Sequence, residues 1–310
     1  MHMRRHAFCG LSDNPPNSFP MYIHSHGSFV GKPVDDVKYY KQEVSRYTEL
    51  QFRRANRFVL LSLAGACRCA HGHGIKNETA VYLTTENGNL GDTETVLDQI
   101  FHQHQFPLPY NFINTMSNTA SFYVAQNLKL FGRNLTFSSK QLSFERGIEL
   151  MRSDLLCGSV EEALIGGVDE ACFSKQQFEA KFQRPCGVFD LVEGSCWLLV
   201  RKNAQNAMGE ISALESFNDL PGAIAWLQQR SFSRPVVVSY GLLVGGRERE
   251  AIAARLPAPA EFDHIAALGY HDSATASGAT AFLERYPSGS WVHVNKDFRG
   301  QFVVLNVEKY

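Results

Sequence analysis

Gln141 stands between a short strand, Leu135-Thr136-Phe137-Ser138, and an amphipathic helix that begins Leu142-Ser143-Phe144. At a helix start, unpaired N–H groups favour a thiolate, so a cysteine there would be an activated nucleophile. The amide of Gln141 keeps polarity and approximate size but cannot attack a carbonyl carbon. A cysteine at this strand–helix junction would therefore be placed for covalent catalysis, and Gln141 is not.

Other groups that could do chemistry are less well placed. Cys67, Cys69, His71 and His73 invite a metal, but Cys-x-Cys at a helix end points its thiols apart, and tetrahedral zinc needs convergent ligands. No metal and no cofactor is expected. Glu86-Asn87-Gly88-Asn89-Leu90-Gly91 lacks the lysine and following Ser/Thr of a phosphate loop and reads as a turn. Gly245-Gly246, at a helix start, is weak for the same reason. Cys157 ends a helix, where the dipole disfavours a thiolate. His102 and His104 read as a solvated helix end.

The elements that must position Gln141 alternate. A strand at Met21 to Val30 precedes a mostly apolar helix from about Asn56 to His71. A strand follows at Glu78 to Thr84, then helices at about Thr93 to Gln103 and Asn118 to Phe131, the latter ending at Gly132. After Gln141, residues Phe144, Ile148, Met151 and Leu155 make one helix face, and Ala163 to Asp169 forms the next strand. Beyond Phe182, Gly194 to Arg201 and Gly209 to Glu215 read as a strand pair. Leu220 to Arg230 is a helix and Pro235 to Tyr240 a buried strand. Helices at Gly246 to Arg255 and Thr275 to Glu284 lead to a closing hairpin around Phe298. This alternation predicts an α/β fold and is compatible with two similar halves, about 21–175 and 176–310. Residues 1–20 are expected to be a disordered or mis-assigned leader.

Bulk composition excludes several classes. The chain has 310 residues, 44% hydrophobic and 20% charged, with a formal net charge of -1. No basic block suggests nucleic acid, and no apolar run is long enough to span a bilayer. The 7 cysteines are scattered and mostly in apolar segments, as buried reduced thiols would be. With no visible signal peptide, the expected location is the cytoplasm.

Several segments resemble the β-ketoacyl synthases of the thiolase-like superfamily. Arg53-Arg54-Ala55-Asn56-Arg57-Phe58 is similar to the family's first helix, and Ser117 to Ala125 to its dimer-interface helix. Gly132-Arg133-Asn134-Leu135-Thr136 leads to the nucleophile elbow. Leu164 to Glu170 resembles the leucine-valine-glycine-glycine strand, and Glu193-Gly194 the remnant of a glycine-glutamate-glycine turn. The resemblance implies a compact, five-layer αβαβα fold. Active members carry a cysteine and two histidines. The resemblance puts Gln141 at the cysteine, Tyr240 at the first histidine, and Asp272 or, with a slip of one, His271 at the second. Phe298 joins this vestigial set.

The resemblance thus implies a catalytically silent chain-length factor, similar to the ketosynthase-like partner subunits of bacterial aryl polyene clusters. Such a subunit pairs with an active β-ketoacyl synthase across the strand holding Leu135 and Phe137, and meets the acyl carrier protein only indirectly. Phe112, Met116, Phe122 and Tyr123 would lie at the end of the partner's acyl tunnel. Arg53, Arg54 and Arg57 are candidates for an acidic carrier, or simply a solvated helix start. The alternative is a malonyl-carrier decarboxylase using Gln141.

Overall fold

In the first half of the chain, β1 (Met21–Gly31), α1 (Val37–Ser45), α2 (Arg57–Ala70), β2 (Ala80–Thr84), α3 (Leu90–Phe101), α4 (Pro109–Asn114) and α5 (Asn118–Leu128) precede the elbow. Then come β3 (Asn134–Phe137), α6 (Ser143–Leu156), β4 (Glu162–Asp169), α7 (Lys175–Phe182) and β5 (Glu193–Arg201). The second half holds β6 (Gly209–Phe217), α8 (Leu220–Gln228), β7 (Val236–Tyr240), α9 (Gly246–Ala253), β8 (Ala260–Glu261), α10 (His264–Leu268), α11 (Ala274–Arg285), β9 (Gly289–Lys296) and β10 (Phe302–Lys309). This computed structural model describes residues 21–310 except Gln51, Arg53, Arg54 and Val188. The leader and the Arg53-Arg54 pair lie outside the described residues.

The strands run in the order β3-β2-β4-β5-β1-β6-β10-β9-β7-β8. Read outward from the middle, the two halves have the same topology. In each, the first strand pairs antiparallel with the fifth and the fifth antiparallel with the fourth; the fourth, second and third are parallel. Among the described residues, the two half-sheets are joined by strand pairing where Met21, Tyr22 and Ile23 of β1 meet Ile211, Glu210 and Gly209 of β6. The strand repeat therefore changes over between Arg201 and Gly209, later than the expected division near residue 175. β5 and β6 are not partners, as the sequence suggested, because β1 lies between them. Glu193-Gly194, expected in a turn, opens β5 and pairs with Gly31 and Val30.

Side-chain alternation along the strands builds the layers. Tyr82 and Ile165 face one core together with Phe144, Ile148 and Met151 of α6 and Ala276, Ala279 and Phe282 of α11; Val237, Trp291 and Leu305 of the second half enter the same cluster. Val81, Leu83 and Leu164 face the opposite way, onto Leu61 and Ala64 of α2 and Val124 of α5. Val236, Val238 and Val292 face Ala223 and Leu227 of α8 and Ile252 of α9. The layers are outer helices, half-sheet, the α6–α11 pair, half-sheet, outer helices. This is the expected five-layer αβαβα fold.

α5 stops earlier than the sequence suggested. Lys129 adopts a left-handed conformation (φ 56°) and its N–H reaches the carbonyls of Ala125 and Gln126. Gly132 serves another purpose: a Cβ there would lie 2.1 Å from the Glu78 carbonyl oxygen. Glycine allows the chain entering β3 to cross close to that loop.

Candidate functional site

Gln141 does not sit in the α-helix itself. Lys140–Leu142 form one 3-10 turn between β3 and α6. Lys140 is held at φ 51°, a left-handed conformation uncommon for a residue with a Cβ. Ser143 fastens this turn: its hydroxyl accepts from the Ser139 N–H at 2.9 Å and donates to the Lys140 carbonyl at 2.6 Å. The Gln141 side chain is left to project, and its Nε2 donates to Glu86 Oε1 at 3.0 Å. The Gln141 backbone carbonyl accepts from Asn295 Nδ2 at 3.0 Å.

Beside it lies a cavity of only about 20 Å³, lined by Gln141, Phe182, Gly241, Asp272 and Asn295 among others. That is room for about one water, not for an acyl chain. A buried charge cluster closes one side. Lys181 Nζ lies 2.8 Å from Glu86 Oε1 and 3.0 Å from Asp272 Oδ1. Asn87 Nδ2 and the Tyr270 hydroxyl donate to Asp272 at 2.8 Å and 3.0 Å. Behind them Asp169 accepts from the Thr85 hydroxyl and the Glu86 and Asn87 N–H groups. Burial, then the neighbouring Asp272 carboxylate, pushes Glu86 up to about 8 and Asp169 up to about 7. Burial pulls Lys181 down, but Asp272 and Glu86 more than offset it and hold the ammonium above its ordinary range.

The other expected positions separate. Tyr240 ends β7 with its ring in the outer core of the second half, its hydroxyl donating to the Arg249 carbonyl at 3.2 Å. Gly241, the next residue, lines the cavity instead. Of the two candidates for the second histidine position, Asp272 lines the cavity and His271 does not. His271 faces Gly194, where a Cβ would lie 2.4 Å from its Nε2. Burial lowers His271 to about 3, so the ring is neutral. Phe298 is half exposed and stacks on Phe182, with ring centroids 5.5 Å apart.

Sequence reasoning missed Lys181, Glu145 and His293, and took Glu86 as a turn residue. His293, buried on β9, meets the Ser239 hydroxyl at 2.8 Å and the Thr275 hydroxyl at 3.1 Å. Thr275 and Asn295 each donate to Glu145 Oε1 at 2.7 Å. The available signal for Glu145 was a carboxylate next to Phe144, which opens the apolar Phe144–Ile148–Met151–Leu155 face of α6.

A second region is built in the opposite sense. α4 and α5 border an open groove of about 410 Å³, lined by Tyr110, Ile113, Met116, Phe122 and Tyr123 with three polar neighbours. Phe112 on α4 and Phe122 on α5 are 60% and 57% exposed. Beside this face β3 pairs with β2 alone and forms one edge of the sheet. Leu135 and Phe137 on it are half-buried. α5 braces the strand, since Asn134 donates to the Ser121 carbonyl at 3.1 Å and Thr136 to the Ser121 hydroxyl at 3.0 Å.

Residues 21–184 match the family model of the β-ketoacyl synthase N-terminal domain. No curated protein matches the sequence. Among solved structures, the ishigamide ketosynthase/chain length factor aligns over 94% of this chain and 99% of its own, with TM-score 0.64 and 15% identity. The AntDE:AntF complex, a type II polyketide synthase acyl-carrier protein with its ketosynthase, gives TM-score 0.70 at 11% identity over 94% and 100%. A ketosynthase, ApeO, in complex with its chain length factor, ApeC, from Xenorhabdus doucetiae gives 0.51 at 12% over 94% and 99%. At these identities the likeness is one of fold.

Proposed function

The chain belongs to the β-ketoacyl synthase family, and we propose that within it the protein is a catalytically silent chain-length factor. It pairs with an active β-ketoacyl synthase and shapes that partner's acyl tunnel in polyketide, polyene or fatty-acid-type biosynthesis. An aryl polyene pathway is the specific setting we favour, in the cytoplasm, with the acyl carrier protein engaged through the partner. No described helix is long and apolar enough to cross a membrane.

One observation carries this reading. The Gln141 cavity offers about 20 Å³ while an apolar groove of about 410 Å³ stands open beside a sheet edge. A protein with no room for its own acyl chain and an exposed apolar face is suited to act on a neighbour. β3 supplies backbone groups for strand pairing, and α4–α5 supplies Met116, Phe122 and Tyr123 for the tunnel end.

The decarboxylase alternative needs histidines beside Gln141. His271 faces Gly194; of the two histidines that line the cavity, His293 is engaged by Ser239 and Thr275, and burial lowers His264 to about 4, which keeps its ring neutral. Co-expression with active β-ketoacyl synthases from the same source tests the proposal: one of them co-purifies with the chain. Malonyl-carrier decarboxylation by the isolated chain, abolished in Gln141→Ala, would favour the alternative.

A further inference from the structure

Between Asp169 and Glu193 the chain leaves the sheet, and its one helix there is α7. Lys175, Gln176, Gln177, Glu179 and Ala180 of that helix are exposed. Phe178, Lys181 and Phe182 turn inward, and each rests on groups bordering the Gln141 cavity. Phe178 and Phe182 pack against Tyr270 at 5.3 Å and 5.6 Å between ring centroids. Phe182 lines the cavity itself and stacks on Phe298. Lys181 crosses to Glu86 and Asp272. At the far end Gln183 breaks the helix in a left-handed conformation, φ 50°, with Pro185 and Gly187 close behind.

The same strap covers a second small cavity. It too is about 20 Å³ and is lined by Cys172, Phe173, Phe178 and His271, with Tyr270 and Asp272 bordering both cavities. The ring nitrogens of His271 are buried there without a hydrogen-bond partner among the described residues. A helix attached by three side chains, over two cavities that share a wall, is the kind of segment that opens locally while the core stays folded.

We propose that α7 is a lid over the Gln141 cavity, latched by Lys181 and Phe182, so that the closure of this site is a state of α7 and not a fixed property of the core. Lifting it frees Glu86 and Asp272, uncovers the rest of Gln141, which is half-buried with α7 in place, and joins the two cavities into one pocket with His271 on its wall. The proposal goes beyond the pairing role and does not depend on it.

The test places a thiol under the lid with Gln141→Cys and follows its alkylation by iodoacetamide with peptide mass spectrometry. The full chain is used, together with its ketosynthase where the two co-purify. Phe182→Ala, which leaves the charges in place, is expected to raise the modification rate at position 141 at least tenfold. Lys181→Met should also raise it, although losing the ammonium makes the thiol a weaker acid. Cys69 and Cys196, buried elsewhere, serve as internal controls and should stay protected. Equal rates at 141 in all backgrounds, or a parallel rise at Cys69 and Cys196, would overturn the lid. Hydrogen exchange of the unsubstituted chain gives an independent reading. Amides of α7 should exchange at least tenfold faster than those of α6 and α11, and equal protection would also overturn it.

Discussion

The cavity behind Gln141 is walled by both halves of the chain, the groove on α4–α5 by the first half alone, and the two regions use their side chains in opposite ways. Behind Gln141, polar groups are buried and matched: Glu86, Lys181, Asp272, Asn87 and Tyr270 bond one another and leave about 20 Å³. On α4–α5, Ile113, Met116 and Phe122 are exposed around a groove of about 410 Å³. In an enzyme that builds a chain, one expects the reverse, an empty space behind the nucleophile and a covered exterior. The difference indicates which surface the fold is kept for.

The comparison breaks most readily at the open face. Phe122→Asp places a charge where an apolar partner surface is expected. The residue is 57% exposed, so the monomer should fold normally. Binding to the ketosynthase should weaken at least a hundredfold, as central interface anchors do, measured by titration of the purified subunits. Gln141→Ala should leave that affinity within about twofold. If the two variants behave alike, the contrast between the regions is lost.

The next effect is on product. Alanine at Phe112, Met116, Phe122 or Tyr123 shortens a side chain at the tunnel end, and at least one variant should yield a longer acyl chain by mass spectrometry. Unchanged lengths in all four would remove the tunnel role and leave only pairing.

A pH profile sharpens the closed side. Glu86 and Asp169 have folded-state pKa values raised to about 8 and about 7. Raised carboxylates bind more protons folded than unfolded, so their contribution is complete below the ordinary carboxylate range and is lost as pH rises through the folded values. The urea midpoint should therefore fall between about pH 5 and pH 8. Glu86→Gln, which cannot titrate, should flatten part of that fall; an unchanged slope would show that the cluster does not carry it.

The smallest expected effect is at the elbow. Lys140→Gly relieves a left-handed residue (φ 51°), and the gain is partly offset by a more flexible unfolded chain. A net stabilisation of about 0.5 kcal/mol is expected from thermal unfolding.

Much of the fold was legible because β2, β4 and β7 are buried on both faces and so read as short continuous apolar runs. The repeat itself was visible only as alternation. Which strands pair depends on β1 entering between β5 and β6, and nothing in either strand's own sequence states that. Short helices such as α4 and α7 carry too few turns for a periodic signal. At the site, the neighbourhood of Gln141 was legible from the strand–helix junction. Lys181 was not, since a lysine in a polar helix looks solvated until Glu86 and Asp272 arrive from distant segments. Tyr240 shows the limit of counting along a motif: the next residue, Gly241, lines the cavity, and a one-residue offset on a strand reverses its face. The count to Asp272 reaches a residue that lines the cavity, and the slip of one to His271 does not.

The most direct test of the central claim is native mass spectrometry of the chain co-expressed with an active β-ketoacyl synthase from the same source. The account predicts a 1:1 complex that forms with Gln141→Ala and is lost with Phe122→Asp. A stable monomer or homodimer indifferent to the ketosynthase would contradict it.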